Sequence, residues 1–152
     1  MSVEDVTARV DELSGRSADG KPVVGLVELT GGEPLLQEDI YPLADRLLAQ
    51  GYTLMIETSG ERFIGRLPKE VIKIVDVKCP DSGEPDTFDL RNLAELSSND
   101  EVKFVLTSRR DYEFAGLLRR PGSGVTSLLR RCERPASSRC LLSSRRKRHS
   151  FL

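Results

Sequence analysis

Leu26-Val27-Glu28-Leu29-Thr30-Gly31-Gly32-Glu33-Pro34-Leu35-Leu36-Gln37 is the stretch from which the fold is read. The apolar run at residues 23–29, opened by Pro22, predicts a buried strand. A glycine turn ends it. In parallel α/β folds ligands bind beyond the carboxyl ends of the strands, which is where this turn falls. Gly31 and Gly32 carry no Cβ, so a ligand can approach the backbone closely. Glu33 adds a carboxylate suited to a ligand ammonium group, and Pro34 rigidifies the exit into a helix. A Gly-Gly pair alone would be read as a tight turn, because glycine punctuates so many of them.

Outward from the turn, strand and helix patterns alternate. Val3, Val6, Val10 and Leu13 recur at helical spacing behind Ser2 and predict an opening helix. Leu36, Ile40, Leu43, Ala44, Leu47 and Leu48 predict a second, with Gly51 as its C-cap. Strands are predicted at residues 52–56, 72–77 and 102–106. Leu90, Leu93 and Leu96 suggest a short helix, and residues 112–118 another. Strands separated by helices imply βαβ units and a parallel sheet.

The chain has 152 residues, a net charge of −1, 38% hydrophobic residues and only 5% aromatic ones. That length suits one domain or part of a larger one. The run at 23–29 contains Gly25 and Glu28 and is far short of the roughly 20 residues needed to span a bilayer. Met1-Ser2-Val3-Glu4-Asp5 has no cationic start and no apolar stretch behind it, so a secretory signal is not expected. With three cysteines, an odd count, reduced thiols and a cytoplasmic location are expected.

The small net charge conceals a split. Residues 1–118 hold 23 Asp/Glu against 13 Lys/Arg, whereas residues 119–152 hold 10 Lys/Arg against the single acid Glu133. Composition shifts with the charge, toward Arg, Ser, Leu and Gly. Two segments are therefore expected: an α/β core at 1–118, and a disordered basic Arg/Ser-rich tail at 119–152.

Thr30-Gly31-Gly32-Glu33-Pro34 after an apolar strand resembles the GGEP motif of radical S-adenosylmethionine (SAM) enzymes. Further matches follow in order. Glu57-Thr58-Ser59-Gly60 comes after the second strand, and Asp76-Val77-Lys78-Cys79-Pro80-Asp81 at the end of the third. Glu101-Val102-Lys103-Phe104-Val105-Leu106 and Asp111-Tyr112-Glu113-Phe114 complete the series. Together they look like the 7-carboxy-7-deazaguanine synthases, radical SAM lyases of queuosine precursor biosynthesis, over roughly residues 3–118.

That resemblance implies an α/β fold, a partial (β/α) barrel of the radical SAM type, incomplete at both ends. It implies conversion of 6-carboxy-tetrahydropterin to 7-carboxy-7-deazaguanine, with SAM, a [4Fe–4S] cluster and Mg²⁺ as cofactors. It places Thr30 against the pterin substrate, Gly32 against SAM through its backbone, and Asp76, Val77 and Lys78 in a SAM-binding segment. Glu33 and Ser59 are further candidates for the same cofactor. A family-like homodimer is compatible with it; a membrane or nucleic-acid partner is not expected.

The chain departs from the family in one chemical respect. Iron needs thiolates, and the family's Cys-x-x-x-Cys-x-x-Cys motif should precede the GGEP strand, yet no cysteine precedes Cys79. By resemblance the chain begins at the helix after the cluster loop, and an incomplete product, inactive alone, is expected. Cys132, Cys140 and His149 lack the close pairing of metal ligands. The tail's sudden change of composition is what an altered reading frame or a disrupted gene would give. The competing expectation is a non-catalytic α/β fragment whose basic tail binds nucleic acid through phosphate contacts. A phosphate-binding domain is disfavoured, because the turn matches neither G-x-x-x-x-G-K-[ST] nor G-x-G-x-x-G.

Overall fold

Alternation at period two shapes the sheet of this chain, whose computed structural model describes residues 1–84, 87–118 and 141–144. The strands are β1 (Leu26–Leu29), β2 (Thr53–Thr58), β3 (Ile72–Val77), β4 (Glu101–Leu106) and β5 (Leu141–Ser144). They form one sheet in the order β1-β2-β3-β4-β5, every neighbouring pair parallel. Leu29 lies opposite Ile56, Thr58 opposite Val75, and Asp76 opposite Lys103. All carboxyl ends therefore share one edge of the sheet.

Among the described residues four helices accompany it: α1 (Val3–Ser14), α2 (Ile40–Ala49), α3 (Asn92–Glu95) and α4 (Arg109–Leu118). Single 3-10 turns lie at Pro34–Leu36 and Ile64–Arg66. α1 starts with a reciprocal cap. The Ser2 hydroxyl accepts from the Asp5 N–H at 3.1 Å, and the Asp5 carboxylate accepts from the Ser2 N–H at 3.0 Å. α2 stops at Gln50, one residue before the predicted cap. Gly51 follows with φ +88°, so the Gly51 and Tyr52 N–H groups can close onto the Leu48 and Leu47 carbonyls.

The described helices pack on one face. Leu47 of α2, Leu54 and Ile56 of β2, Ile64 and Val75 are fully buried together there. A second cluster joins Val77, Cys79, Phe104 and Ala115 where α4 lies against β4. The opposite face carries exposed Leu26 and Glu28, with Met55, Glu57, Ile74, Asp76 and Lys103 half-buried. Parallel sheets are as a rule covered on both faces by helices. A face of mixed polarity that the described helices leave bare is what a barrel's inner wall would present.

The boundaries differ from the sequence pattern for local reasons. Val23 and Val24, predicted as buried strand, are 66% and 58% exposed. Their N–H groups bond to the Gly15 and Ser14 carbonyls at the end of α1, which removes them from the sheet. β1 is thus four residues long and, among the described residues, paired only with β2. Leu36 belongs to a 3-10 turn and is exposed rather than opening α2. β2 runs on to Thr58, and α4 begins at Arg109, with the Ser108 hydroxyl accepting from the Asp111 N–H at 3.1 Å. The predicted helix around Leu90, Leu93 and Leu96 is a single turn, and Leu90 is exposed.

Of the basic tail expected at 119–152, residues 119–140 and 145–152 lie outside the described residues; Leu141–Ser144 pairs in parallel with β4. Among the described residues no helix is long and apolar enough to cross a membrane.

Candidate functional site

The turn after β1 takes its shape from two glycines, with φ +101° at Gly31 and +59° at Gly32, backbone that a Cβ would strain. An added Cβ at either position would meet nothing within 4 Å, so the outer surface of the turn is open. Thr30 is exposed beside them.

Glu33 faces the other way. Its carboxylate accepts from the Leu35 N–H at 3.0 Å, the Thr58 hydroxyl at 2.8 Å, and the Ser59 N–H and hydroxyl at 2.7 Å each. Burial pushes the Glu33 carboxyl up, but the donors of Ser59, Leu35 and Thr58 outweigh it and leave it lowered. In this structure the Glu33 carboxylate acts as a strut. The side chain is occupied in tying the glycine turn to the end of β2, and Ser59 is its partner.

The loop after β2 is held from behind by Asn92, the first residue of α3, which is fully buried. Its amide donates to the Gly60 carbonyl at 2.8 Å and the Arg62 carbonyl at 2.9 Å, while its oxygen accepts from the Ile64 N–H at 3.0 Å. All three hydrogen bonds brace the backbone that positions Ser59.

A cavity of about 350 Å³ opens at the carboxyl ends of β3 and β4, with Asp76, Lys78, Cys79, Ser82, Lys103 and Thr107 in its wall. Lys78 donates to Asp76 Oδ2 at 3.3 Å, and Lys103 bonds the Glu57 carboxylate across the bare face. Asp76 Oδ1 is buried and, among the described residues, accepts no hydrogen bond. Unsatisfied buried acceptors are rare, because each costs about 1–3 kcal/mol. Next to a cavity, such an oxygen is suited to a ligand hydroxyl or ammonium group. The Val77 side chain points to the covered face and is 4% exposed, so only its backbone can serve a ligand.

Of the residues expected from the sequence, Thr30, Gly32, Glu33 and Ser59 sit together, and Asp76, Val77 and Lys78 lie along the same edge. The two groups are two strands apart, about 10 Å at the usual strand spacing. The wall of the cavity belongs to the second group. Glu57, Lys103, Thr107 and Asn92 were given no role by the motif reading. Period-two counting could have found the first two, since Glu57, Asp76 and Lys103 share the bare face. Asn92 has no local signal, because its partners lie about 30 residues away.

Among the described residues, no group of three or more His, Cys, Asp or Glu could hold a metal. Cys79 is 1% exposed, and burial, with Asp111 and Asp76 nearby, pushes its thiol up to about 11, which keeps it protonated. Cys132 and Cys140 lie outside the described residues.

A one-sided parallel sheet with its ligand edge at the strand carboxyl ends defines an α/β domain of the partial (β/α) barrel kind. The crystal structure of QueE from Escherichia coli superimposes with a TM-score of 0.60 over 87% of this chain and 57% of that one, at 24% identity, a likeness of fold. No protein-family model matches the chain. The 7-carboxy-7-deazaguanine synthase of Koribacter versatilis is 53% identical over 116 residues, 76% of this chain and 48% of the relative. That of Methanospirillum hungatei is 43% identical over 88 residues, 57% of this chain and 37% of the relative. Over the matched residues the chain is homologous to the 7-carboxy-7-deazaguanine synthases. It spans about half the length, or less, of these relatives.

Proposed function

We propose that this chain is the SAM-binding portion of a cytoplasmic 7-carboxy-7-deazaguanine synthase, acting in the conversion of 6-carboxy-tetrahydropterin to 7-carboxy-7-deazaguanine. The observation that carries the reading is the buried, unpartnered Asp76 Oδ1 beside Lys78 and the β3–β4 cavity. A ribose hydroxyl or the methionine ammonium of SAM would supply the missing donor, and Lys78 a cation for a ligand carboxylate. The open glycine turn offers backbone polar groups to the same ligand, with Thr30 as a hydroxyl for the pterin. Glu33 and Ser59 keep that turn in place. The family's [4Fe–4S] cluster supplies the electron that cleaves SAM. The described residues do not fit it, so this chain contributes binding and orientation.

Calorimetric titration of the full chain with SAM tests the reading. Saturable binding is expected, weakened about tenfold or more in Asp76→Ala, since a charged hydrogen bond is worth about 1.5–3 kcal/mol. Absence of binding at millimolar SAM, or an Asp76→Ala variant with unaltered affinity, would sink it.

A further inference from the structure

We propose that Asp111 is a positioning residue, whose carboxylate latches the loop after β3 to the loop after β4 and thereby fixes the wall of the β3–β4 cavity. The inference rests on the reading of that cavity as the SAM site. Asp111 lies on the first turn of α4 and is 0% exposed. One carboxylate oxygen accepts from the Asp81 N–H at 2.9 Å. The other accepts from the Thr107 N–H at 2.9 Å and the Thr107 hydroxyl at 2.7 Å. Each loop is therefore held by a different oxygen of one rigid group. Asp81 completes the latch from the other side. Its carboxylate accepts from the Ser108 hydroxyl at 2.6 Å and from Arg110 at 3.1 Å.

The latched residues bracket the cavity. Ser82, next to Asp81, and Thr107 both stand in its wall, and Lys78 lies three residues before Asp81. Asp111 does not line the cavity itself, so it acts through the loops it joins. Burial pushes its carboxyl up, yet the N–H groups of Asp81 and Thr107 and the Thr107 hydroxyl outweigh burial and hold it below the ordinary value. The group is ionised at neutral pH, which keeps all of its lone pairs accepting.

Asp100 provides an internal control. It is also buried, and accepts from the Lys73 and Ser97 N–H groups at 2.7 Å each, but at the amino ends of β3 and β4, away from the cavity. In the full chain, Asp111→Asn and Asp100→Asn should both lower the thermal midpoint, since in each the NH₂ that replaces one oxygen leaves one buried N–H without its acceptor. The probe is S-adenosylhomocysteine, titrated below both midpoints, together with amide hydrogen exchange. Asp111→Asn is expected to weaken binding about tenfold, a factor in keeping with a lost charged hydrogen bond. It should also speed exchange at residues 79–84 and 106–108, leaving Leu54 and Ile56 protected. Asp100→Asn should stay within about twofold of the parent affinity.

Equal weakening by the two variants would reduce Asp111 to a structural residue and overturn the proposal. So would parent-like affinity together with parent-like exchange in Asp111→Asn. If the parent chain fails to bind the probe, the SAM reading falls and exchange alone decides. Acceleration confined to the two loops then upholds the latch, and unaltered or uniform exchange overturns it. Should Asp111→Asn not fold, Ser108→Ala carries the same exchange test at Asp81 and Ser82, where parent-like protection would count against the latch.

Discussion

Glu33 accepts four hydrogen bonds from Leu35, Thr58 and Ser59, so the glycine turn it anchors should respond to acid. Its folded-state pKa lies below the ordinary 4.5. A lowered carboxyl contributes stability that is fully present above the unfolded value and is lost as pH falls through the folded one. Glu33→Gln keeps the size of the side chain but offers one acceptor and two unwanted donors. It should cost about 1–3 kcal/mol at pH 7. Urea unfolding at a series of pH values checks this. The gap between parent and variant should narrow below about pH 4.5, where the unfolded parent's carboxyl takes up a proton before the folded one does. A gap that stays constant down to pH 3 would mean that the charge of Glu33 is irrelevant to its strut. The sequence showed a carboxylate in a glycine turn but not where it would point. Its partners Thr58 and Ser59 are 25 and 26 residues away, and only strand pairing brings them back.

At the scale of the element, the period-two and period-3.6 patterns were legible where burial drives them. β3 coincides with its predicted span, and Val3, Val6 and Val10 announced α1 behind its Ser2–Asp5 box. The failures lie where backbone hydrogen bonds override hydropathy. Val23 and Val24 look like strand, but their N–H groups serve the end of α1. The β1–α2 connection was legible as a turn, but the bracing of the β2–β3 connection was not. Bracing comes from Asn92, whose side chain forms the buried anchor for the whole 59–64 loop. Asn92→Ala should remove the donor to the Arg62 carbonyl and the acceptor of the Ile64 N–H, leave the Gly60 carbonyl with the Asp89 N–H alone, and cost about 2–4 kcal/mol. Asn92→Asp is nearly isosteric but cannot donate to the Gly60 and Arg62 carbonyls, so it should be no less damaging. Denaturant midpoints of the two variants check the pair. A near-neutral Asn92→Asp would show that volume, and not donation, holds the loop.

At the scale of the whole molecule, the same arrangement that opens a ligand face also opens an edge. The described helices cover one side of the sheet, and among the described residues nothing pairs with the outer edge of β1. That edge exposes Leu26 at 52%, and the approach to it exposes Val23 and Val24. Strand edges of this kind carry unpaired backbone groups next to apolar side chains, and they recruit other chains unless charge or proline blunts them. Among the described residues no element covers this edge. Self-association of the isolated chain is the expected consequence. Val24 offers a clean test, since it is outside β1, its side chain is 58% exposed, and its own N–H is bonded to the Ser14 carbonyl. Val24→Lys should therefore leave the fold within about 0.5 kcal/mol of the parent, as exposed substitutions usually do. Light scattering across a concentration series should show the parent associating and the variant shifted toward the monomer, because a lysine at the edge repels a second copy. If both remain monodisperse monomers with equal unfolding midpoints, the β1 edge is already protected, and the bare face would have to be read as a surface that tolerates water rather than one that awaits a covering strand.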